Sequence, residues 1–198
     1  MNNKGKIIAI IGAPASGKST LVRHWNENYG IKTYLEGEEA DIPDYVKENI
    51  AQNKNGLQTI LFFHNQEKRQ YQEALKLKEQ GEIVVLDTFW ISNIFYIDTM
   101  VFCENEKKLL HDMIDFTKNS FTLPDTVVFL DISDQLLAQR MNQRGREFEK
   151  SFIENALKVS KSHKEIIDQP DFLNTQIIKV QADDLCPDKL AQDLGLEK

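Results

Sequence analysis

The run Ile7-Ile-Ala-Ile-Ile11 leads directly into Gly12-Ala-Pro-Ala-Ser-Gly17-Lys18-Ser19, and the residues that follow, Ser19 to Asn28, have helical spacing. A buried strand, a glycine-punctuated turn and a helix in that order match the pattern GxxxxGK[ST] in the context its mechanics require. Glycines let main-chain N–H groups point inward around phosphate oxygens. The helix N-terminus adds partial positive charge, and the lysine reaches the outer phosphates. Ordinary residue usage makes a chance match in a chain of this size an event on the order of one per cent. The expected donor contacts are Gly12, Ala13, Ala15, Ser16, Gly17, Lys18, Ser19 and Thr20, with the Ser19 hydroxyl on magnesium. The motif therefore implies a nucleoside triphosphate, with ATP the expected donor, and leaves its use open.

The 198 residues predict one domain over 1–198, at roughly 150 residues per domain. No repeat, low-complexity tract or linker divides them. An apolar content of 41% excludes disorder. Thirty-one acidic against 24 basic side chains give a net charge of -7, which argues against nonspecific attraction to nucleic acid or an anionic membrane. A polyanionic ligand must then be held locally. Cys103 and Cys186 lack metal-ligand spacing and are too few for a disulfide framework, so they read as reduced thiols. The longest apolar run near the N-terminus, Ile7 to Ile11, is too short for a signal h-region, and no stretch approaches the roughly 20 residues of a membrane span. A cytoplasmic protein is expected.

Five short β-branched runs read as strands of a parallel sheet covered on both faces: Ile7 to Ile11, Ile31 to Leu35, Ile83 to Leu86, Thr126 to Leu130 and Gln176 to Val180. Helical segments are expected at Ser19 to Asn28, Pro43 to Asn53, Leu57 to Gln80, Ile91 to Phe121, Ser133 to Gln143 and Glu149 to Asp168. Pro124, Ser133 and Gly81 supply the punctuation between them. The alternation predicts a three-layer α/β sandwich with right-handed crossovers, whose ligands bind at the carboxyl edge of the strands.

Missing features narrow the chemistry. A base-reading NKxD is absent, since Asn53-Lys54 continues as Asn55-Gly56. Val84-Val85-Leu86-Asp87 is followed by Thr88, so Asp87 can serve magnesium but no hydrolytic carboxylate stands beside it. Phosphoryl transfer to a second substrate fits better. Arg140-Met-Asn-Gln-Arg144-Gly145-Arg146 reads as a lid over about 140–150, with three cations to place over the transferring group. Glu36, directly after the second strand and ahead of Glu38 and Glu39, emerges at the same sheet edge and could accept a hydroxyl proton.

At these residues the chain resembles the deoxynucleoside kinase family, P-loop enzymes that phosphorylate the 5′-hydroxyl of deoxynucleosides. The likeness covers the P-loop, Glu36, Gln58 in Leu57-Gln58-Thr59, Asp87, Pro124-Asp125 and, most specifically, the lid stretch Gln139 to Glu149. The resemblance implies Glu36 as general base, Gln58 as a base-edge contact, Arg140 and Arg144 as phosphate or adenine contacts, and Glu149 as a sugar-hydroxyl contact. Gln176 to Asp184, with Asp183, resembles the segment that flanks the adenine of ATP.

Three departures bear on the acceptor. Thr88 stands where the family typically has an arginine, Asn65 is read at the position of a second arginine, and Asn93 stands where an acidic base contact is frequent. Amides in place of a charged pair point to a different nucleobase or another acceptor. Phe62, Phe63, Phe89 and Trp90 could stack on a base or simply fill the core. His64 is read as a polar helix residue, and Trp25 and Tyr29 as packing. The apolar residues between Phe95 and Met113 could form a homodimer face or be ordinary core. Two other functions stay open at this point: a kinase of a nucleoside monophosphate or small metabolite, and a noncatalytic nucleotide-binding module.

Overall fold

A computed structural model of the chain describes residues 5–36, 39–169 and 172–196. Five parallel strands, β1 (Lys6–Gly12), β2 (Lys32–Tyr34), β3 (Ile83–Asp87), β4 (Thr126–Asp131) and β5 (Gln176–Gln181), form one sheet in the order β2-β3-β1-β4-β5. The helices are α1 (Lys18–Tyr29), α2 (Asp44–Gln52), α3 (Gly56–Glu79), α4 (Ile94–Met100), α5 (Glu104–Ser120), α6 (Asp134–Arg144), α7 (Ile153–Ile167) and α8 (Pro187–Asp193). Short 3-10 turns occupy Glu39–Asp41, Trp90–Asn93 and Glu147–Phe152.

The central strand β1 is hydrogen-bonded on both sides, with Ala9 opposite Leu86 on β3 and Val127 on β4. Its alternate residues feed different layers. Ile7, Ala9 and Ile11 join a cluster with Tyr71, Phe89, Trp90 and Phe95, whereas Ile8 and Ile10 pack with Trp25, Leu137 and Leu190. This two-sided burial is why the strands read as uninterrupted apolar runs. The five-stranded parallel α/β sandwich expected from the sequence is the observed fold.

Two parts of the element reading are corrected. The segment expected as one helix over Ile91 to Phe121 is a 3-10 turn and two helices, broken at Val101, where the backbone turns extended (φ -114°, ψ 126°). Glu104 and Glu106 then place negative charge in the first turn of α5, a helix-start signal inside the apolar periodicity. The break has a packing partner: a Cβ on Gly56 would lie 1.9 Å from the Met100 carbonyl oxygen, so only glycine lets α3 begin against the end of α4. The second correction is α8, which the sequence reading did not include. Pro187 opens it, and α1 holds it through Trp25 Nε1 donating to the Pro187 carbonyl at 3.0 Å and Tyr29 Oη donating to Asp188 Oδ1 at 2.9 Å. Trp25 and Tyr29 are packing residues as read, but what they pack is this helix.

Candidate active site

Topology converges the ends of β1, β3 and β4 on one edge of the sheet, and a cavity of about 730 Å³ opens there. On its donor side Gly12, Ala15, Gly17, Lys18, Ser19 and Thr20 line the wall. The turn between them needs unusual backbone: Gly12 has φ +154° and Gly17 φ +105°, and a Cβ on Gly12 would sit 2.7 Å from the Leu130 carbonyl oxygen. Ala13 is directed into the core instead, and Ser16 is fully buried with its Oγ unpartnered. Lys18 Nζ donates to the Gly12 and Ala13 carbonyls at 2.9 and 3.2 Å, which holds the ammonium at the mouth of the turn.

Behind that turn Ser19 Oγ donates to Asp87 Oδ2, and Asp87 Oδ1 is buried with no partner. A hydroxyl and a carboxylate with a spare oxygen are hard donors, the kind that suits magnesium, so the residues expected for the metal fit it. Asp87 stands behind Ser19 rather than on the cavity wall.

The lid descends from α6. Arg140 Nη1 donates to the Ser16 carbonyl at 3.0 Å, and Nη2 donates to the Ala182 carbonyl at 3.3 Å. Asp183, next in chain, accepts from Ser133 Oγ at 2.7 Å and so ties the loop after β5 to the N-cap of α6. Gly145 ends α6 in the left-handed region (φ +66°), and the chain returns through the Glu147–Phe152 turn. That reversal brings Arg144, Arg146 and Glu149 to one place, with Arg146 Nη1 at 3.0 Å and Arg144 Nη1 at 3.6 Å from Glu149 Oε1. Glu149 Oε2 is buried and unpartnered. Arg146 Nε also lies 3.5 Å from Glu39 Oε2. Phe148 seats the lid on Ile42 and Val46, and Ser151 Oγ donates to the Ala51 carbonyl at 2.7 Å.

Glu36 lines the same cavity just past β2. Burial raises its pKa to about 7; Asp87 pushes the same way, against the pull of Lys18, Arg144 and Arg146. Glu38 lies outside the described residues. The remaining acceptor wall is formed by Thr59, Phe63, Glu67, Ser92, Asn93 and Tyr96, with Thr88 at its floor. Thr88 takes φ +69°, unusual for a β-branched residue, with its N–H donating to the Ile10 carbonyl at 2.8 Å and Oγ1 to Ser92 Oγ at 2.6 Å.

Two helix-face assignments are corrected here. Gln58 and Asn65 are exposed and neither lines the cavity. The buried stripe of α3 runs through Gly56, Ile60, His64, Glu67, Tyr71 and Ala74. At about 100° per residue, Gln58 and Asn65 lie roughly 180° and 160° around the helix from Glu67. Of the acidic and amide side chains of α3, Glu67 is the one on the cavity wall, and motif spacing did not single it out although it falls in phase with the stripe. Of the four candidate stacking aromatics, Phe63 lines the cavity, Phe89 and Trp90 belong to the core, and Phe62 packs beside Phe148 and Ile42. Tyr96, Phe148 and Phe152 line it without having been anticipated. His64 is buried edge-on to Trp90, and burial pushes its pKa down to about 4, so it stays neutral and outside the site.

Comparison with known proteins agrees with this geometry. Two proteins named probable thymidylate kinase are similar over most of their length: one from Archaeoglobus fulgidus, 23% identical over 171 residues (76% of this chain, 82% of that protein), and one from Methanococcoides burtonii, 26% identical over 174 residues (82% and 86%). Among solved structures, deoxyadenosine kinase from M. mycoides with bound dATP superposes with a TM-score of 0.77 at 19% identity, covering 96% of this chain and 99% of that one. The same enzyme with products dCMP and a flexible dCDP gives 0.73 at 20% identity, covering 96% of each chain. The family model for deoxynucleoside kinases matches residues 8–193. That span takes in the P-loop, Glu36, the acceptor wall and the lid, so the chain belongs to the deoxynucleoside kinase family and is a phosphotransferase rather than a noncatalytic nucleotide-binding module.

Proposed function

We propose that the protein transfers the γ-phosphoryl group of ATP, in line and without a covalent enzyme intermediate, to the 5′-hydroxyl of a nucleoside or deoxynucleoside. One observation carries this: a single cavity is lined by the P-loop lysine, three lid arginines and a buried carboxylate, Glu36, whose pKa is raised to about 7. A base with a pKa near the working pH suits removal of a hydroxyl proton as the phosphorus–oxygen bond forms. Glu36 takes that proton, Lys18 and Arg144 and Arg146 neutralise charge on the transferring group, and the lid excludes water. Ser19 and Asp87 would hold magnesium, which supplies charge neutralisation on the phosphate oxygens. Gly12, Ala13, Ala15, Ser16, Gly17 and Thr20 supply the phosphate cradle, Arg140 and Asp183 border the donor slot, and Asn93 and Glu149 border the acceptor.

The acceptor wall beyond Glu36 carries Thr59, Glu67, Thr88, Ser92, Asn93 and Tyr96 and no basic side chain among them, which favours a neutral acceptor. The second reading is a nucleoside monophosphate acceptor, supported by the names of the two archaeal relatives and by Arg144 and Arg146 facing the same cavity. Labelled ATP offered with thymidine, deoxyadenosine, deoxycytidine and their monophosphates separates the two. Glu36→Gln sharpens the test, because a phosphate acceptor already has an ionised oxygen and does not need the base. Label appearing only on monophosphates, with Glu36→Gln still active, would replace the first reading by the second.

The same reading includes a homodimer through α5. Phe102, Leu109 and Phe116 are 68%, 57% and 70% exposed, and Leu109 and Phe116 lie two turns apart on one face. A cytoplasmic setting is supported by the free, exposed thiols of Cys103 and Cys186, and no described helix is long and apolar enough to cross a membrane.

A further inference from the structure

Glu67 is the one charged-type side chain of the acceptor wall that the chemistry above does not use. It is 4% exposed, yet it lines the cavity from the inner face of α3. Among the described residues its one hydrogen-bond partner is Asn93, whose Nδ2 donates to Glu67 Oε2 at 2.7 Å and to the Trp90 carbonyl at 2.9 Å. Both amide hydrogens of Asn93 are thereby used on the protein. What the side-chain amide has left is its carbonyl oxygen, an acceptor. The Trp90–Asn93 turn fixes this arrangement, and Phe89 and Trp90 wedge it in the core.

Among the described residues no cation forms an ion pair with Glu67, so an ionised carboxylate there would be a buried charge offset only by the Asn93 amide and the more distant pull of Lys18. Burial, reinforced by the nearby Glu36 and Asp87, drives its pKa well above the ordinary carboxylate value. In the neutral acid, Oε2 is the oxygen that already accepts from Asn93. The proton then resides on Oε1, which makes that atom a donor. The pair presents one donor, from Glu67, beside one acceptor, from Asn93.

We propose that Glu67, positioned by Asn93, is the residue that selects the acceptor's heterocycle, favouring a base with an exocyclic amino group next to an unprotonated ring nitrogen. Such an edge offers a ring acceptor to Glu67 and an amino donor to Asn93. A base with an oxo group beside a ring N–H inverts both and sets donor against donor and acceptor against acceptor. This rests on the nucleoside acceptor proposed above and names its class: adenine-type or cytosine-type bases, against hypoxanthine-, guanine-, uracil- or thymine-type ones.

The test uses two pairs of nucleosides that differ in this edge alone, deoxyadenosine against deoxyinosine and deoxycytidine against deoxyuridine, with labelled ATP and the full chain. For every pair turned over, wild-type kcat/KM should favour the amino member by about 10²-fold or more, as expected when buried polar groups are left mismatched. Glu67→Gln should keep that preference, since its amide oxygen still accepts from Asn93 and its NH₂ still donates. Glu67→Leu should bring the ratio close to one by slowing the amino member, while calorimetry shows ATP binding unchanged. A wild-type ratio near one or inverted, or a preference that survives Glu67→Leu, overturns the proposal. Folded, ATP-binding protein that phosphorylates no nucleoside at all would instead remove the acceptor assignment, and this proposal with it.

Discussion

Glu149 holds Arg146 through a 3.0 Å contact between Oε1 and Nη1, and the same oxygen lies 3.6 Å from Arg144. One carboxylate thus gathers two of the three lid arginines on the cavity wall. Arg146→Ala should lower kcat by about 10²–10³-fold, with ATP affinity little changed, because the lost charge matters most in the transition state. Steady-state kinetics with calorimetric ATP titration checks this. An unaltered kcat would move the role to Arg144.

Glu36 should impose an acid limb on the rate. Only its ionised form can accept the hydroxyl proton, so kcat/KM is expected to rise with pH and level off above about 7. Glu36→Gln should cost about 10²–10⁴-fold in turnover and abolish that limb. Stability should move the other way. Because the native pKa lies above the unfolded value of 4.5, the protonated form is favoured in the fold; the associated stability is complete below about pH 4.5 and is lost as pH climbs to about 7. Glu36→Gln should therefore melt higher than wild type at pH 8 and no higher at pH 4.5, as thermal scans would show.

Lys18 is held by the Gly12 and Ala13 carbonyls at the point where outer phosphates would arrive. Lys18→Met should reduce phosphoryl transfer by about 10³-fold or more while the fold persists. Retention of near-normal transfer would remove the phosphate role of the turn.

Gly56 tests the fold rather than the chemistry. With its Cβ destined for a point 1.9 Å from a backbone oxygen, Gly56→Ala must push α3 away from α4. A loss of about 2–3 kcal/mol is expected, or a fall in Tm on the order of 5–10 °C. A melting temperature within 1 °C or so of wild type, on the scale of about 2–4 °C per kcal/mol, would mean that this contact yields cheaply.

The α5 face gives a fifth measurement. Sedimentation should show a dimer whose dissociation constant rises by about tenfold or more in Phe116→Lys, which replaces the most exposed apolar side chain of the patch by a charge. A monomer at high concentration would remove the dimer.

The strands and the phosphate turn were legible because both are local. A parallel strand covered on two faces reads as an apolar run, and Gly12 to Ser19 encodes its backbone directly in glycine positions. The lid was legible for a similar reason: Arg140, Arg144, Gly145 and Arg146 lie close together in sequence and meet through one reversal. The acceptor wall was not. Choosing Gln58 over a neighbour one residue away depends on which side of α3 meets the sheet, and that is set by contacts from the Trp90 turn, distant in sequence. The break at Val101 was hidden because apolar spacing continues through it, and its cause, Gly56 against Met100, is nonlocal. Pro187 did advertise a helix start, but a seven-residue helix leaves too short a periodic trace to stand out.

Arg140 has a consequence for how this enzyme could diverge. Its guanidinium bridges the Ser16 carbonyl in the turn after β1 and the Ala182 carbonyl in the loop after β5. The gap between those two loops is thus gauged by the reach of one side chain. Lysine there would keep the charge but lose the fork that spans both, so the spacing of the phosphate turn from the loop after β5, more than the local charge, is the trait this position controls.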